Sequence, residues 1–119
     1  MRLFLCDDNR QYRLLARLVL EKDHEIVGEA GDGLEVIEHA PAARPDVLLL
    51  DLNMPRLNGY DALPRLRDVL PETTRIVVLT SGQAADERDR ALAAGADAFI
   101  VKPQSVFSLS DELESALAA

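Results

Sequence analysis

The chain predicts a parallel β-sheet covered by helices on both faces, and three observations carry that prediction. Short apolar runs alternate with helix-like stretches five times along 119 residues, which implies a parallel sheet with right-handed crossovers. The central run, Val47-Leu48-Leu49-Leu50, is apolar at successive positions, as in a strand buried on both faces. Polar residues that cannot continue a buried strand then close the first, third, fourth and fifth runs.

Each element has its own local reason. Leu3-Phe4-Leu5-Cys6 reads as the first strand, stopped by Asp7-Asp8-Asn9. Asn9 suits the N-cap of a first helix in which Tyr12, Leu15, Ala16, Val19 and Leu20 recur at helical spacing, with Arg10, Arg13 and Arg17 on the other face. Glu25 to Ala30 reads as the second strand, and Gly31-Asp32-Gly33 turns out of it. A second helix is expected from Leu34 to Ala40, stopped by Pro41. The third strand runs from Val47 to Asp51; Pro55 and Gly59 bar its continuation. Asn58 caps a third helix from about Gly59 to Leu70, with Leu63, Leu66 and Leu70 inward and Pro64 predicting a late start or a kink. Arg75 to Thr80 is rich in β-branched residues and reads as the fourth strand. Ala85 to Ala94 then forms a helix closed by Gly95. Ala98 to Val101 is the fifth strand, ending in Lys102-Pro103, and Ser105 caps a last helix carrying Leu109, Leu113 and Leu117. A five-stranded sheet of this kind in the order 2-1-3-4-5 is the flavodoxin-like arrangement.

Composition narrows the function. The length suits one domain, taken as residues 1–119. A net charge of −8 argues against direct nucleic-acid binding by this domain, because phosphate contacts need a basic face. No apolar run approaches the ~20 residues of a membrane span. The segment before Asp7-Asp8 is too short for a signal peptide. The single cysteine, Cys6, excludes an internal disulfide, fits a reducing cytoplasm and reads as a core residue. His24 and His39 lack metal-ligand spacing and read as surface residues. Asp111, Glu112 and Glu114 read as a solvated helix face, and Gly31-Asp32-Gly33 is too short for a nucleotide loop.

The chemistry lies in where the strand ends fall. Asp7 and Asp8 follow the first strand, Asp51 ends the third, Thr80 the fourth and Lys102 the fifth. In a parallel sheet these endings share one edge, where open α/β folds place their sites. Three crowded carboxylates repel one another, and a hard divalent cation relieves that. Mg²⁺ takes oxygen ligands and keeps several waters. Asp8 and Asp51 offer side-chain oxygens, Asn53 a backbone carbonyl, and Asp7 a contact through water.

The set Asp7-Asp8, Asp51, Thr80, Phe99 and Lys102-Pro103, with the run Asp51-Leu52-Asn53-Met54-Pro55 followed by Gly59, resembles a CheY-like response-regulator receiver domain of two-component signalling. The resemblance covers essentially the whole chain. It implies that Asp51 accepts a phosphoryl group from a sensor histidine kinase or phosphotransfer protein, with Asp7, Asp8, Asp51 and Asn53 around Mg²⁺. It implies that Lys102 and Thr80 contact the phosphoryl group, aided by the backbone N–H groups of Asn53 and Ser81. It implies that Thr80 and Phe99 form the switch, changing the face of the fourth helix, fifth strand and fifth helix. It further implies a cis Lys102-Pro103 bond. Phe99 lacks the hydroxyl of the tyrosine often found there.

On this reading the protein is a signalling switch, catalysing only its own phosphorylation and slow dephosphorylation. It is expected to be a monomer or weak homodimer, acting alone on a downstream protein or through a fused effector. Two other classes fare worse. A haloacid-dehalogenase-like hydrolase needs a general acid two residues after the nucleophile, where this chain has Asn53. A flavin carrier needs a phosphate loop after the first strand, where Asp7-Asp8 repels phosphate.

Overall fold

The strands are β1 (Arg2–Cys6), β2 (Glu25–Ala30), β3 (Val47–Leu50), β4 (Arg75–Thr80) and β5 (Ala98–Val101), and they form one parallel sheet in the order β2-β1-β3-β4-β5. The helices are α1 (Arg10–Leu20), α2 (Gly33–Ala43), α3 (Gly59–Val69), α4 (Ala85–Ala94) and α5 (Leu109–Ala118). The computed structural model describes residues 1–82 and 85–118. The parallel sheet implied by the alternation is observed, in the order expected of the flavodoxin-like arrangement.

Side-chain alternation along the strands divides the core into two layers. Phe4, Cys6, Leu48, Leu50, Ile76 and Val78 face one side and pack with Val36, Ala40, Leu63, Leu66 and Ala91 of α2, α3 and α4. Leu3, Leu5, Val47, Leu49, Val77 and Leu79 face the other and pack with Ala16, Leu20, Leu109 and Leu113 of α1 and α5. Val47 to Leu50 are all buried, as a strand covered from both sides requires.

The register carries the functional consequence. Cys6 lies opposite Leu50, so the next residues, Asp7 and Asp51, leave the sheet side by side. Asp51 N–H donates to the Cys6 carbonyl at 2.9 Å, which extends that pairing by one rung. On the far side Thr80 pairs with Val101, and Lys102 N–H donates to the Thr80 carbonyl at 2.7 Å.

Several local expectations need correction. The second helix starts at Gly33, capped by the Asp32 side chain, and passes through Pro41 to Ala43. A proline in the last turn removes one hydrogen bond, which a helix near its end tolerates; Arg44, in the left-handed region at φ 50°, ends it. The third helix does not start late: Asn58 accepts from Asp61 N–H, the helix begins at Gly59, and it runs on through Pro64. Pro64 is exposed, on the side where water satisfies a freed carbonyl. The third strand ends at Leu50, and Leu70 caps the third helix from outside. Leu15, expected inward, is 49% exposed with Leu14 and Leu18, because the inward stripe of α1 narrows to Tyr12, Ala16, Val19 and Leu20. Arg13 and Arg17 fold back onto Glu29 of β2. Ser105 caps a short 3-10 turn, Val106–Ser108, that leads into α5. The His24 side chain is only 7% exposed, its Nδ1 lying 3.2 Å from the Met1 nitrogen and its Nε2 3.9 Å from Glu114 Oε1. All peptide bonds among the described residues are trans, so the cis Lys102-Pro103 bond is not found; trans is the lower-energy form even before proline.

Candidate functional site

Asp7 and Asp51 are buried at adjacent strand ends, and Asp8 is exposed beside them. One carboxylate oxygen from each lies within 4.8 Å of the others. The two buried carboxylates are held alike. Asp7 Oδ1 accepts from Asn9 N–H at 2.9 Å, and Asp51 Oδ1 accepts from Asn53 N–H at 3.1 Å. Each is a turn closed on the backbone two residues ahead, which fixes the rotamer and leaves Oδ2 facing the crevice.

Lys102 stands between those free oxygens. Its Nζ lies 2.7 Å from Asp7 Oδ2 and 3.7 Å from Asp51 Oδ2, with the lysine side chain 17% exposed. Asp7 Oδ2 accepts no hydrogen bond among the described residues, so this buried oxygen is held by the lysine charge. Burial pushes the Asp51 carboxyl up to about 6; the Asn53 N–H opposes that, Asp7 adds to it, and Lys102 opposes it. The fifth strand end therefore only partly neutralises a pocket of three acids.

The loop after Asp51 is anchored from below. Leu52 and Met54 are buried, and Gly59 N–H donates to the Leu52 carbonyl at 2.8 Å. A Cβ on Gly59 would meet Leu52 Cα at 2.7 Å and the Asp51 carbonyl at 2.8 Å, so glycine lets the start of α3 press directly on this loop. At the loop's outer end Arg56 reaches Asp32 Oδ2 at 2.8 Å. Cys6 is sealed beneath the site, 3.1 Å from Met54 Sδ, and burial pushes its thiol far up, so it is core.

Three carboxylates at one sheet edge, one of them with a buried oxygen paired to the Lys102 ammonium but accepting no hydrogen bond among the described residues, make an all-oxygen donor set, and it fits a hard divalent cation. The geometry also leaves the strand-end crevice open through exposed Asp8, Asn53 and Ser81. A hollow of about 380 Å³ lies elsewhere, lined by Arg2, His24 and Asp46, and holds none of these groups.

The model of the response regulator receiver domain matches residues 3–114. The chain belongs to that family. A transcriptional regulatory protein, PdtaR of Mycobacterium tuberculosis, is 39% identical over 98% of this chain and 56% of its own length. The receiver thus spans about half of that relative. The chemotaxis protein CheY of Thermotoga maritima is 35% identical over 86% of this chain and 85% of its own. A response regulator from Burkholderia pseudomallei, solved with a phosphorylated aspartic acid, calcium ion and citrate, superposes with a TM-score of 0.81 at 25% identity, covering 98% of this chain and 74% of that one.

Within this receiver, Asp7, Asp8, Asp51 and Lys102 come together as expected, with Asn53 alongside. Thr80 is fully buried at the end of β4, its Oγ1 accepting from Gly82 N–H at 3.2 Å, and Ser81 is exposed beyond it. Phe99 is half-buried on β5, packed on the layer of α2, α3 and α4. The Asn53 N–H, expected at a phosphoryl oxygen, is engaged by Asp51 Oδ1. Two residues were read only as helix faces. Tyr12, assigned to the core stripe, lies with its ring 4.2 Å from Lys102 Nζ, and Arg13 Nη1 donates to the Asp7 carbonyl at 2.6 Å. The available signal was position: both sit in the first turns after the Asp pair.

Proposed function

We propose that this receiver is a phosphoacceptor switch in which Asp51 takes a phosphoryl group from a phosphohistidine on a sensor histidine kinase or phosphotransfer protein. A carboxylate oxygen of Asp51 forms the bond to phosphorus, and the bond from phosphorus to the imidazole nitrogen breaks. The imidazole nitrogen leaves with the electron pair and takes up a proton from solvent. The observation that carries this reading is the convergence of Asp7, Asp8 and Lys102 on Asp51, from three strand ends.

The residues divide the work. Asn9 and Asn53 fix the Asp7 and Asp51 carboxylates through their backbone N–H groups. Lys102 supplies a mobile point charge to the incoming phosphoryl oxygens. Thr80, on the adjoining strand, has a hydroxyl able to donate to the same group, and the Ser81 N–H is the backbone donor beside it. Asp7, Asp8, Asp51 and the Asn53 carbonyl are the groups to hold Mg²⁺. When bound, that ion neutralises charge on the transferring group.

The readout is a change of the face formed by α4, β5 and α5. Phe99, half-buried on β5, is the reporter: it moves inward when Thr80 turns toward the phosphoryl group. The downstream target is a protein contact or an attached effector, a reading in keeping with the extra length of PdtaR.

Acetyl phosphate with Mg²⁺ tests the reading directly. Intact-mass measurement is expected to show one added phosphoryl group on the wild type, none on Asp51→Ala, and none after chelation. Equal labelling of Asp51→Ala overturns it.

A further inference from the structure

We infer that Tyr12 is a positioning residue for Lys102, its ring face retaining the ammonium at the site when the carboxylates turn to a metal. The inference rests on the reading of Asp51 as phosphoacceptor. Among the described residues, Lys102 Nζ lies 2.7 Å from Asp7 Oδ2, 3.7 Å from Asp51 Oδ2 and 4.2 Å from the centroid of the Tyr12 ring. Two are anionic and are also the groups fit to hold a divalent cation. The third is neutral, and attracts the ammonium through its negative face.

That difference matters once a metal competes. A hard cation takes the carboxylate oxygens and repels the ammonium beside them. The ring offers no oxygen from its face, so it keeps the ammonium without weakening the metal site. A further carboxylate in place of the ring would join the ligands, and an aliphatic side chain would exert no attraction on the charge. The phenol hydroxyl adds no charge either: burial, then Asp7, Glu112 and Asp51, push it up to about 12.

The ring is tied to the acid it stands beside. Asn9 N–H holds Asp7 Oδ1 at 2.9 Å, and Asn9 Oδ1 accepts from Tyr12 N–H at 3.0 Å. One residue thus sets both the Asp7 rotamer and the first turn of α1 that carries the ring. The hydroxyl has no hydrogen-bond partner among the described residues, so the face of the ring, not its polar tip, is the working part.

The test uses the whole chain with Tyr12→Phe and mono-, di- and trifluorinated phenylalanine at position 12. These rings keep their shape while the face loses its negative potential, so folding is preserved. The rate of Asp51 labelling by acetyl phosphate at saturating Mg²⁺ is measured, in both the native and Lys102→Met backgrounds. Tyr12→Phe is expected to stay within about twofold of wild type, with a stepwise fall to roughly tenfold at the trifluoro ring. In Lys102→Met the series is expected to be flat. A flat series in the native background, or the same fall without Lys102, overturns the inference alone. Labelling of Asp51→Ala at the wild-type rate overturns it together with the phosphoacceptor reading.

Discussion

Asp51 sits buried at a strand end with Asp7 alongside, and Lys102 is within 4 Å of both carboxylates. Removing that ammonium while keeping the length of the side chain, in Lys102→Met, leaves two buried carboxylates facing each other. The Asp51 carboxyl is then expected to rise further above its already raised value of about 6, read by carbon NMR titration of the labelled carboxyl. Labelling by acetyl phosphate is expected to fall on the order of a hundredfold, since Lys102 Nζ lies 3.7 Å from Asp51 Oδ2, within reach of a group transferred there. An unshifted Asp51 with an unchanged rate counts against the role given to Lys102. Most of this site was legible from residue type and order alone, because a carboxylate or lysine that ends an apolar run has only one edge of a parallel sheet to occupy. Tyr12 and His24 were not. Their environments come from tertiary contacts, a ring beside an ammonium and an imidazole tucked against α5, which helical spacing does not encode.

At the scale of elements, the loop after β3 depends on how closely α3 begins beneath it. Gly59 permits that approach, and Asn58 caps the helix through Asp61 N–H at 3.0 Å. Gly59→Ala forces a methyl group into Leu52 Cα and the Asp51 carbonyl, both backbone, so the loop must shift. A loss of about 2–3 kcal/mol in urea unfolding is expected, with slower labelling of Asp51, since the displaced backbone carries the nucleophile. Asn58→Ala is expected to cost about 1 kcal/mol and leave labelling close to wild type, because it removes a cap without touching Asp51. If both variants slow labelling equally, the loop is sensitive to helix stability in general and not to the Gly59 contact. The two prolines show why element boundaries were harder to read than element types. Pro41 and Pro64 each remove one backbone donor, but neither outweighs the packing of the buried residues around it, Ala40 in α2 and Leu63 and Leu66 in α3.

For the whole molecule the site is a liability without metal, and the sign of its effect on stability is determinate. The folded Asp51 carboxyl is raised from 3.8 to about 6, chiefly by burial, so between those values the folded state binds more protons than the unfolded state. Stability attributable to this group is therefore highest below pH 4, falls as pH rises towards 6, and stays low above. A shift of this size corresponds to about 2–3 kcal/mol. Asp32 opposes the trend: it is held low chiefly by the Glu35 N–H, and its contribution is lost as acid is added. A comparison of wild type with Asp51→Asn across pH separates the two, because only the Asp51 contribution differs. In urea unfolding without metal, Asp51→Asn is expected to be the more stable at pH 7 by about 2 kcal/mol, with the gap closing near pH 4. Adding Mg²⁺ at pH 7 is expected to raise the wild-type Tm and to move Asp51→Asn much less, since binding to the folded state alone stabilises it by mass action. A gap that persists unchanged at pH 4 would mean that Asp51 is not strained by burial, and the need of this pocket for a cation would lose its physical basis.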